Sequence, residues 1–416
     1  MTKQYKDKAT RLGKMMNGNS KFGIPLVKCI LECFEIVFSE EEVDCLLLIE
    51  NKSCDEEALR RLWIPYFQER QKKDIAGKVT GETTKKDVLE IEDRFQKMFE
   101  ELKRKGAIWQ RRGEGQFELT PIFPGWIEIF SSAPVNETSK ALIQKFAEFE
   151  ELLIKLNIAP VRAYMNHVNT KNMATQEGRM SSVVSRGRKR EGENKAGQQK
   201  RILNVGQKID AEQTVYTSGE IMPLLEKHKA PGNLSVMNCF CRLKKQLNGG
   251  DCDYDMPMEA CLVVGRLSRQ LIETGVSRQI TYEEAVRLIE ECEDKGCIHT
   301  LYHYGITSEE EELIICNCCI DCCFLYGGYR EGTLSQLLMK AYYRPEVIED
   351  RKCIGCNKCN RYCPTDATWY DKKQQVLMYD YSKCIGCGQC VTQCPIDYRR
   401  LVRDERNVFV KTQKKK

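Results

Sequence analysis

A cysteine motif occurs twice near the carboxyl end of this chain, and it constrains the fold more than any other feature of the sequence. The motif has the spacing C-x2-C-x2-C-x3-C-P, first in residues 353–364 and again in residues 384–395. Zinc sites usually take two cysteine pairs that are separated by a dozen or more residues, so this compact spacing argues against zinc. Short loops with this spacing are typical of proteins that bind [4Fe–4S] clusters.

The fourth cysteine of each copy decides how the ligands divide between two clusters. In chains with two such motifs, three cysteines of one loop and the fourth cysteine of the other loop hold each cluster. We expect Gly355, Gly386 and Gly388 to let backbone N–H groups approach the sulfur atoms, and a hairpin over residues 367–380 to bring the loops together. The predicted ligands are Cys353, Cys356, Cys359 and Cys394 for one cluster, and Cys384, Cys387, Cys390 and Cys363 for the other.

The chain has 23 cysteines, and their arrangement suits disulfide bonds poorly. The total is odd, and the pairs Cys318–Cys319 and Cys322–Cys323 are adjacent in sequence. The first residues are polar, and no apolar run approaches the ~18 residues that span a bilayer. With 65 basic and 60 acidic residues, the balanced charge favours neither nucleic acid nor a membrane surface as a partner. We therefore expect a cytoplasmic protein whose thiols bind metal.

A second group of cysteines lies in the middle of the sequence and also indicates a cluster site. Cys292 and Cys297 in this region are expected to be core residues. The others are too numerous for one cubane, so they predict two clusters, one less common cluster, or one cluster with thiols left for exchange; zinc is the minority alternative. We expect Cys261 in the first turn of a helix from Pro257 to Gly275, where the helix dipole favours a thiolate. The candidate central ligands are Cys239, Cys241, Cys252, Cys261, Cys316, Cys318, Cys319, Cys322 and Cys323.

The remaining pattern predicts an α+β protein with four parts. Residues 1–130 read as three helices and a hairpin, the order of a winged helix, and residues 131–214 as a helix followed by a basic flexible insertion at 179–201. Residues 215–343 form a mixed, cysteine-rich central domain, and residues 344–416 a dicluster ferredoxin domain.

Some residues have the right chemistry for a site but a simpler structural role. Cys29, Cys33, Cys45 and Cys54 lie among apolar residues, so we expect them to pack in the core. His299 and His303 have the spacing of metal ligands on a helix, yet packing or hydrogen bonding is the main expectation, with a cluster ligand or proton donor as the alternative.

From about Val215 to its end, the chain resembles a family of large 4Fe–4S-binding proteins of anaerobic bacteria. The resemblance is carried by Cys239-Phe-Cys241-Arg242, by Pro-Met-Glu-Ala-Cys ending at Cys261, by the cysteine run 316–323 and by the two ferredoxin motifs. The segment LTPIFPGWIEIF at 119–130 is similar to the same family. The resemblance implies redox enzymes as partners but no settled reaction, and it implies nothing for the basic insertion.

Three functions are consistent with these patterns. The first is electron transfer, in which the ferredoxin clusters exchange low-potential electrons and one or two central clusters relay them to a partner redox enzyme. The second is a reductase whose central cluster has an open iron that binds substrate, framed by the central cysteines and Arg242. The third is a redox-sensing regulator that binds DNA. The predicted helix 86–105 is acidic, which disfavours a regulator because a groove-reading helix should be basic; we expect no nucleic-acid partner.

Overall fold

The computed structural model describes residues 1–18, 23–50, 52–75, 85–110, 115–155, 213–216, 218–303, 313–330 and 340–404. These residues include both helices and strands, as the α+β prediction requires. The basic insertion at 179–201 lies outside them, and so does the side chain of His303. No helix in the described ranges combines the length and the apolar character that a membrane span needs.

The helices and strands alternate irregularly along the chain. The helices are α1 (Lys3–Gly18), α2 (Lys28–Val37), α3 (Glu40–Leu47), α4 (Glu56–Ile75), α5 (Lys85–Arg104), α6 (Ile127–Ser132), α7 (Glu137–Lys155), α8 (Ser218–Lys227), α9 (Phe240–Leu247), α10 (Arg266–Glu273), α11 (Tyr282–Asp294), α12 (Phe324–Arg330), α13 (Lys358–Arg361) and α14 (Gln389–Thr392). The strands are β1 (Ile108–Trp109), β2 (Glu118–Leu119), β3 (Gln213–Tyr216), β4 (Leu234–Asn238), β5 (Glu259–Val264), β6 (Arg278–Gln279), β7 (Ile298–His303), β8 (Leu313–Cys318), β9 (Tyr343–Val347), β10 (Thr368–Asp371), β11 (Val376–Tyr379) and β12 (Arg399–Arg403).

The chain divides into two compact units that interleave in sequence. The first unit comprises the described residues of Met1–Leu156, Ala230–Thr281 and Tyr304–Ile315. The second comprises those of Asn157–Lys229, Tyr282–His303 and Cys316–Lys416. The domain boundaries expected from the sequence stay a prediction.

Helices α1 to α7 and the antiparallel hairpin β1–β2 make up the amino-terminal part of the first unit. Ser39 begins α3 with a capping box, because its side chain accepts from the Glu42 N–H while the Glu42 carboxylate accepts from the Ser39 N–H. The Trp126 ring is fully buried and packs against Phe34 and Phe38 at centroid distances of 5.0 and 4.9 Å. The three helices and the hairpin expected from the sequence are present, and the winged-helix assignment stays a prediction.

The remainder of the first unit is a small antiparallel sheet with helices. Strand β4 lies between β5 and β6 and pairs with both. Gln270 of α10 is buried, donates to the Ile108 carbonyl at 3.0 Å and accepts from the Gln110 N–H at 2.9 Å. A largely buried ion pair joins Lys244 of α9 to Glu150 of α7. These contacts fix the 230–281 segment, which carries four of the central cysteines, to the amino-terminal helices.

The helix expected from Pro257 to Gly275 is wrong in its first half. Residues 259–264 form β5, and only Arg266–Glu273 is helical, after Gly265 with a φ of 87°. The apolar run Ala260–Val264 is compatible with either a buried strand or a helix, and pairing with β4 selects the strand. Cys261 therefore lies in the middle of a strand, and the helix-dipole argument for its thiolate does not apply.

Glu128 of α6 gives the first unit a testable dependence on pH. Its carboxylate accepts the Gly125 N–H at 2.7 Å, and burial raises its pKa from 4.5 to about 8. The folded chain thus holds a proton that the unfolded chain releases between these values, so this contribution to stability is complete below pH 4.5 and is lost as the pH rises through about 8.

We expect Glu128→Gln to keep the hydrogen bond and to flatten the pH profile. Between pH 5 and pH 9 the free energy of unfolding of the wild type should fall by roughly 2–4 kcal/mol relative to the variant. Denaturant titrations followed by tryptophan fluorescence would measure this, because Trp63, Trp109 and Trp126 are all buried in the first unit. Parallel pH profiles for the two proteins would contradict the expectation.

The second unit contains a sheet segment and the carboxyl-terminal cysteine loops. Strand β7 lies between β3 and β8 and pairs antiparallel with β3. Strand β8 ends at Cys318 and leads through a turn into α12. Two further antiparallel pairs follow: β10 with β11, which are consecutive in sequence, and β9 with β12, which are distant in sequence. The β10–β11 pair confirms the hairpin expected between the two cysteine motifs.

Candidate metal centres

The two cysteine loops adopt the same backbone conformation at equivalent positions. Each loop enters a one-turn helix, α13 or α14, after a residue in the left-handed region: Asn357 with a φ of 58°, and Gly388 with a φ of 84°. Three residues after the fourth cysteine of each loop, Asp366 and Asp397 have positive φ values of 49° and 46°. The repeated motif therefore encodes a repeated loop structure. The left-handed backbone conformation at position 388 does not strictly require glycine, because Asn357 adopts it at the equivalent position of the other loop.

Backbone N–H groups point at cysteine sulfur in both loops. The Gly355 N–H donates to Cys353 Sγ at 3.4 Å, and the Gly386 N–H to Cys384 Sγ at 3.3 Å. An added Cβ at Gly355 would lie 2.8 Å from the Tyr370 ring, and its φ of 69° is also unfavourable for other residues. Gly386 has a similar positive φ of 77°, so glycine suits both positions at which these N–H groups turn toward sulfur, as expected for Gly355 and Gly386.

The fourth cysteine of each loop receives a similar bond. The Ala367 N–H donates to Cys363 Sγ at 3.1 Å, and the Tyr398 N–H donates to Cys394 Sγ at 3.3 Å. Such bonds stabilise negative charge on sulfur and raise the potential of a bound cluster.

We define site 1 as Cys353, Cys356, Cys359 and Cys394. All four side chains line one cavity, although Cys394 belongs to the second loop. Two basic residues, Lys358 and Arg399, also line this cavity, and no aspartate or glutamate does among the residues that the structure describes. Four sulfur donors with nearby positive charge are the environment that an anionic, thiolate-bound cluster requires.

We define site 2 as Cys384, Cys387, Cys390 and Cys363. Cys363 and Cys384 are both buried and pack in one small core with Ala367 and Tyr379. Burial raises the pKa of Cys387 well above its usual range, and negative charge on Cys363, Cys390 and Cys384 adds to that shift. The fourth cysteine of the first loop is therefore close to the other three thiols of site 2.

The two sites differ in their exposure to solvent. In site 1, Cys356 is exposed, and the neighbouring Ile354 is 63% exposed. In site 2, no cysteine is exposed. Both donor sets fit a [4Fe–4S] cubane, since each gathers four sulfur atoms from the two loops beneath N–H donors. Thiols with raised pKa values must lose their protons when a cluster binds.

The central cysteines of the first unit lie along the segment from the end of β4 to β5: Cys239 directly follows β4, Cys241 is in α9, Cys252 lies between α9 and β5, and Cys261 is within β5. Cys261 faces Met237 across the β4–β5 pair, and the Cys239 N–H donates to the Met258 carbonyl at 2.7 Å. A hydrogen bond with Cys241, together with burial, raises the pKa of Cys239 well above its usual range, while the positive charge of Arg242 opposes the shift. The structure therefore brings Cys239 and Cys241 into contact.

The central cysteines of the second unit lie at the end of β8, which contains Cys316 and Cys318, and in the turn before α12, which contains Cys319, Cys322 and Cys323. The ligand atoms of Cys319, Asp321 and Cys322 lie within 4.8 Å of one another. Cys318 and Cys323 are also buried, whereas Cys316 is partly exposed. Sequence reasoning missed Asp321, and the only signal for it was its position inside the cysteine run.

Tyr326 of α12 is close to cysteines of this segment and of site 2. Its ring is fully buried, and its hydroxyl is 3.0 Å from Thr300 Oγ1. Burial raises the pKa of Tyr326 well above its usual range, and negative charge on Cys318, Cys323 and Cys387 adds to the shift. An aromatic side chain thus lies close to both groups of thiols within the second unit.

Burial supports the simpler expected role for those of these residues whose side chains the structure describes. Burial raises the pKa values of Cys29, Cys33, Cys45 and Cys54, as it does for inert core thiols. Cys292 and Cys297 are likewise fully buried. His299 is also buried, with Nδ1 2.7 Å from the Asn317 side-chain oxygen and 3.5 Å from Cys297 Sγ, which is the hydrogen-bonding role that the sequence favours.

The carboxyl-terminal part of the chain is a ferredoxin-type iron–sulfur domain. Residues 346–401 match a family model described as a 4Fe-4S dicluster domain. No curated protein and no solved structure matches the chain. The family match does not reach the central cysteines, so the wider resemblance stays a prediction.

Proposed function

We propose that this protein relays low-potential single electrons between a donor and a partner redox enzyme. The observation that carries the proposal is a pair of four-cysteine groups, sites 1 and 2, in a 4Fe-4S dicluster domain. Each group combines three cysteines of one loop with the fourth cysteine of the other loop. When bound, [4Fe–4S] clusters supply one-electron transfer at potentials that hydrogen bonds to sulfur, burial and charge adjust. The protein contributes the ligands, the N–H donors and the shielding from water.

The exposure of the two sites supports a direction for the relay. Site 1, with exposed Cys356 and Ile354, is the place where a partner protein can approach a cluster. Site 2 is shielded and lies near Tyr326, which also adjoins Cys318 and Cys323. We propose that electrons pass from site 1 through site 2 to one or two clusters held by the central cysteines.

A reductase is the second candidate, and Asp321 favours it. A carboxylate beside Cys319 and Cys322 offers oxygen where sulfur would complete a closed cluster. An iron with an oxygen ligand exchanges that ligand more easily than a thiolate, so such a site could admit a substrate. A shift of a central electron paramagnetic resonance signal on adding cyanide would favour this function over simple relay.

Anaerobic purification with iron and sulfide analysis tests the proposed function. We expect about eight iron atoms per chain from the dicluster domain, and about twelve or more if the central cysteines also hold clusters. Stepwise reduction by a viologen dye should produce one-electron signals of reduced clusters at low temperature. Material that stays free of iron and sulfide after anaerobic reconstitution would refute the proposal.

A further inference from the structure

The first residue of β12 carries a buried positive charge between the two cluster sites. The Arg399 side chain is only 4% exposed, and its Nη2 donates to Thr368 Oγ1 at 2.7 Å. Thr368 in turn donates to the Met378 carbonyl at 3.0 Å. The guanidinium also lies over the Tyr379 ring, 5.8 Å from its centroid. These contacts hold the guanidinium in one place.

The guanidinium adjoins sulfur from both sites. Arg399 lines the cavity of site 1 together with Cys359, and Cys390 of site 2 lines the same cavity. Its positive charge opposes the burial-induced rise in the pKa of Cys359 and of Cys390, whose pKa is about 12. One cation thus acts on cysteines of both sites.

Arg399 has no carboxylate counter-charge among the described residues, and its Nη1 is buried without a hydrogen-bond acceptor. A buried charge is costly unless an opposite charge or a hydrogen bond compensates it. The anionic clusters are the groups that can provide this compensation. Arg400, the next residue, differs completely: it is exposed and paired on the surface with Glu346 at 2.7 Å.

We propose that Arg399 is the shared counter-charge of the two cluster sites and raises the reduction potential of both clusters. The inference rests on the proposed function, because it requires clusters at sites 1 and 2. Reduction adds one negative charge to a cluster, and a fixed cation nearby stabilises the reduced form more than the oxidised form. Arg399 is therefore a positioning residue for charge, not a cluster ligand.

Potentiometric titration of the full-length chain, followed by electron paramagnetic resonance, tests this role. We expect Arg399→Gln to lower the equilibrium constant for reduction at least about ten-fold for both clusters, equivalent to about 59 mV for a one-electron couple. Arg399→Lys should restore most of the shift. Arg400→Gln removes the same charge from a solvated, paired position and should change the constant less than about two-fold.

The outcomes separate this inference from the proposed function. Absence of iron and sulfide from the wild type would refute the proposed function before any variant is made. If Arg399→Gln loads its clusters normally but their reduction potentials shift no more than in Arg400→Gln, the role of Arg399 is overturned. A shift in the reduction potential of only one cluster would overturn the shared role. If Arg399→Gln cannot hold clusters, loading of Arg399→Lys supports the charge role, and equal failure of both variants contradicts it.

Discussion

Replacing Cys363 with alanine should remove the cluster of site 2, although Cys363 belongs to the first cysteine loop. Alanine offers no ligand atom, and the structure places Cys363 beside Cys384, Cys387 and Cys390. We expect a loss of about four iron atoms per chain, with the other cluster retained. Iron analysis and the intensity of the reduced-cluster signals measure the loss.

Two double variants distinguish crossed ligation from ligation within each loop. If ligation is crossed, Cys363→Ala with Cys384→Ala removes one cluster, because both residues belong to site 2. Cys363→Ala with Cys353→Ala then removes both clusters. Crossed ligation therefore predicts a loss of about four iron atoms from the first double variant and about eight from the second. Ligation within each loop predicts about eight from the first and about four from the second. Cys54→Ala, at a buried core cysteine of the first unit, is the control for the loss of a thiol as such.

Removing two central thiols of the second unit should eliminate iron beyond the dicluster domain. The sulfur atoms of Cys319 and Cys322 lie within 4.8 Å of each other and of an Asp321 oxygen, which is close enough to share a metal centre. We expect the Cys319→Ala, Cys322→Ala double variant to fall to about eight iron atoms, with the signals of the dicluster domain unchanged.

Cys292→Ala is the matched control for this experiment. Cys292 is fully buried in the same unit but is expected to serve as a core residue. It should retain the iron that the double variant loses, at some cost in stability from the cavity. A wild type with no more than eight iron atoms, or an equal loss from the control, would contradict a central cluster.

Local sequence was sufficient wherever the chemistry depends on neighbours along the chain. The cysteine spacing predicted two loops, and the structure gives both the same turns, with glycine where the backbone meets Cys353 and Cys384. The hairpin between the loops follows from local pattern too, since β10 and β11 are joined by a few polar residues. Such features depend on short-range sterics and hydrogen bonds, which a motif encodes directly.

Features that depend on distant partners could not be predicted in this way. Cys261 was expected in a helix, but pairing of β5 with β4 places it in a strand, because a short apolar run satisfies either structure until a partner strand is present. Arg399 and Arg400 are adjacent and chemically identical, yet one is buried between two sites and the other is solvated. Alternate residues of a strand face opposite sides, and only the pairing of β12 with β9 and the packing of Thr368 and Tyr379 determine which arginine faces inward. Cysteine spacing thus specifies which atoms can hold clusters, whereas the charge around those clusters depends on strands that meet only in the folded chain.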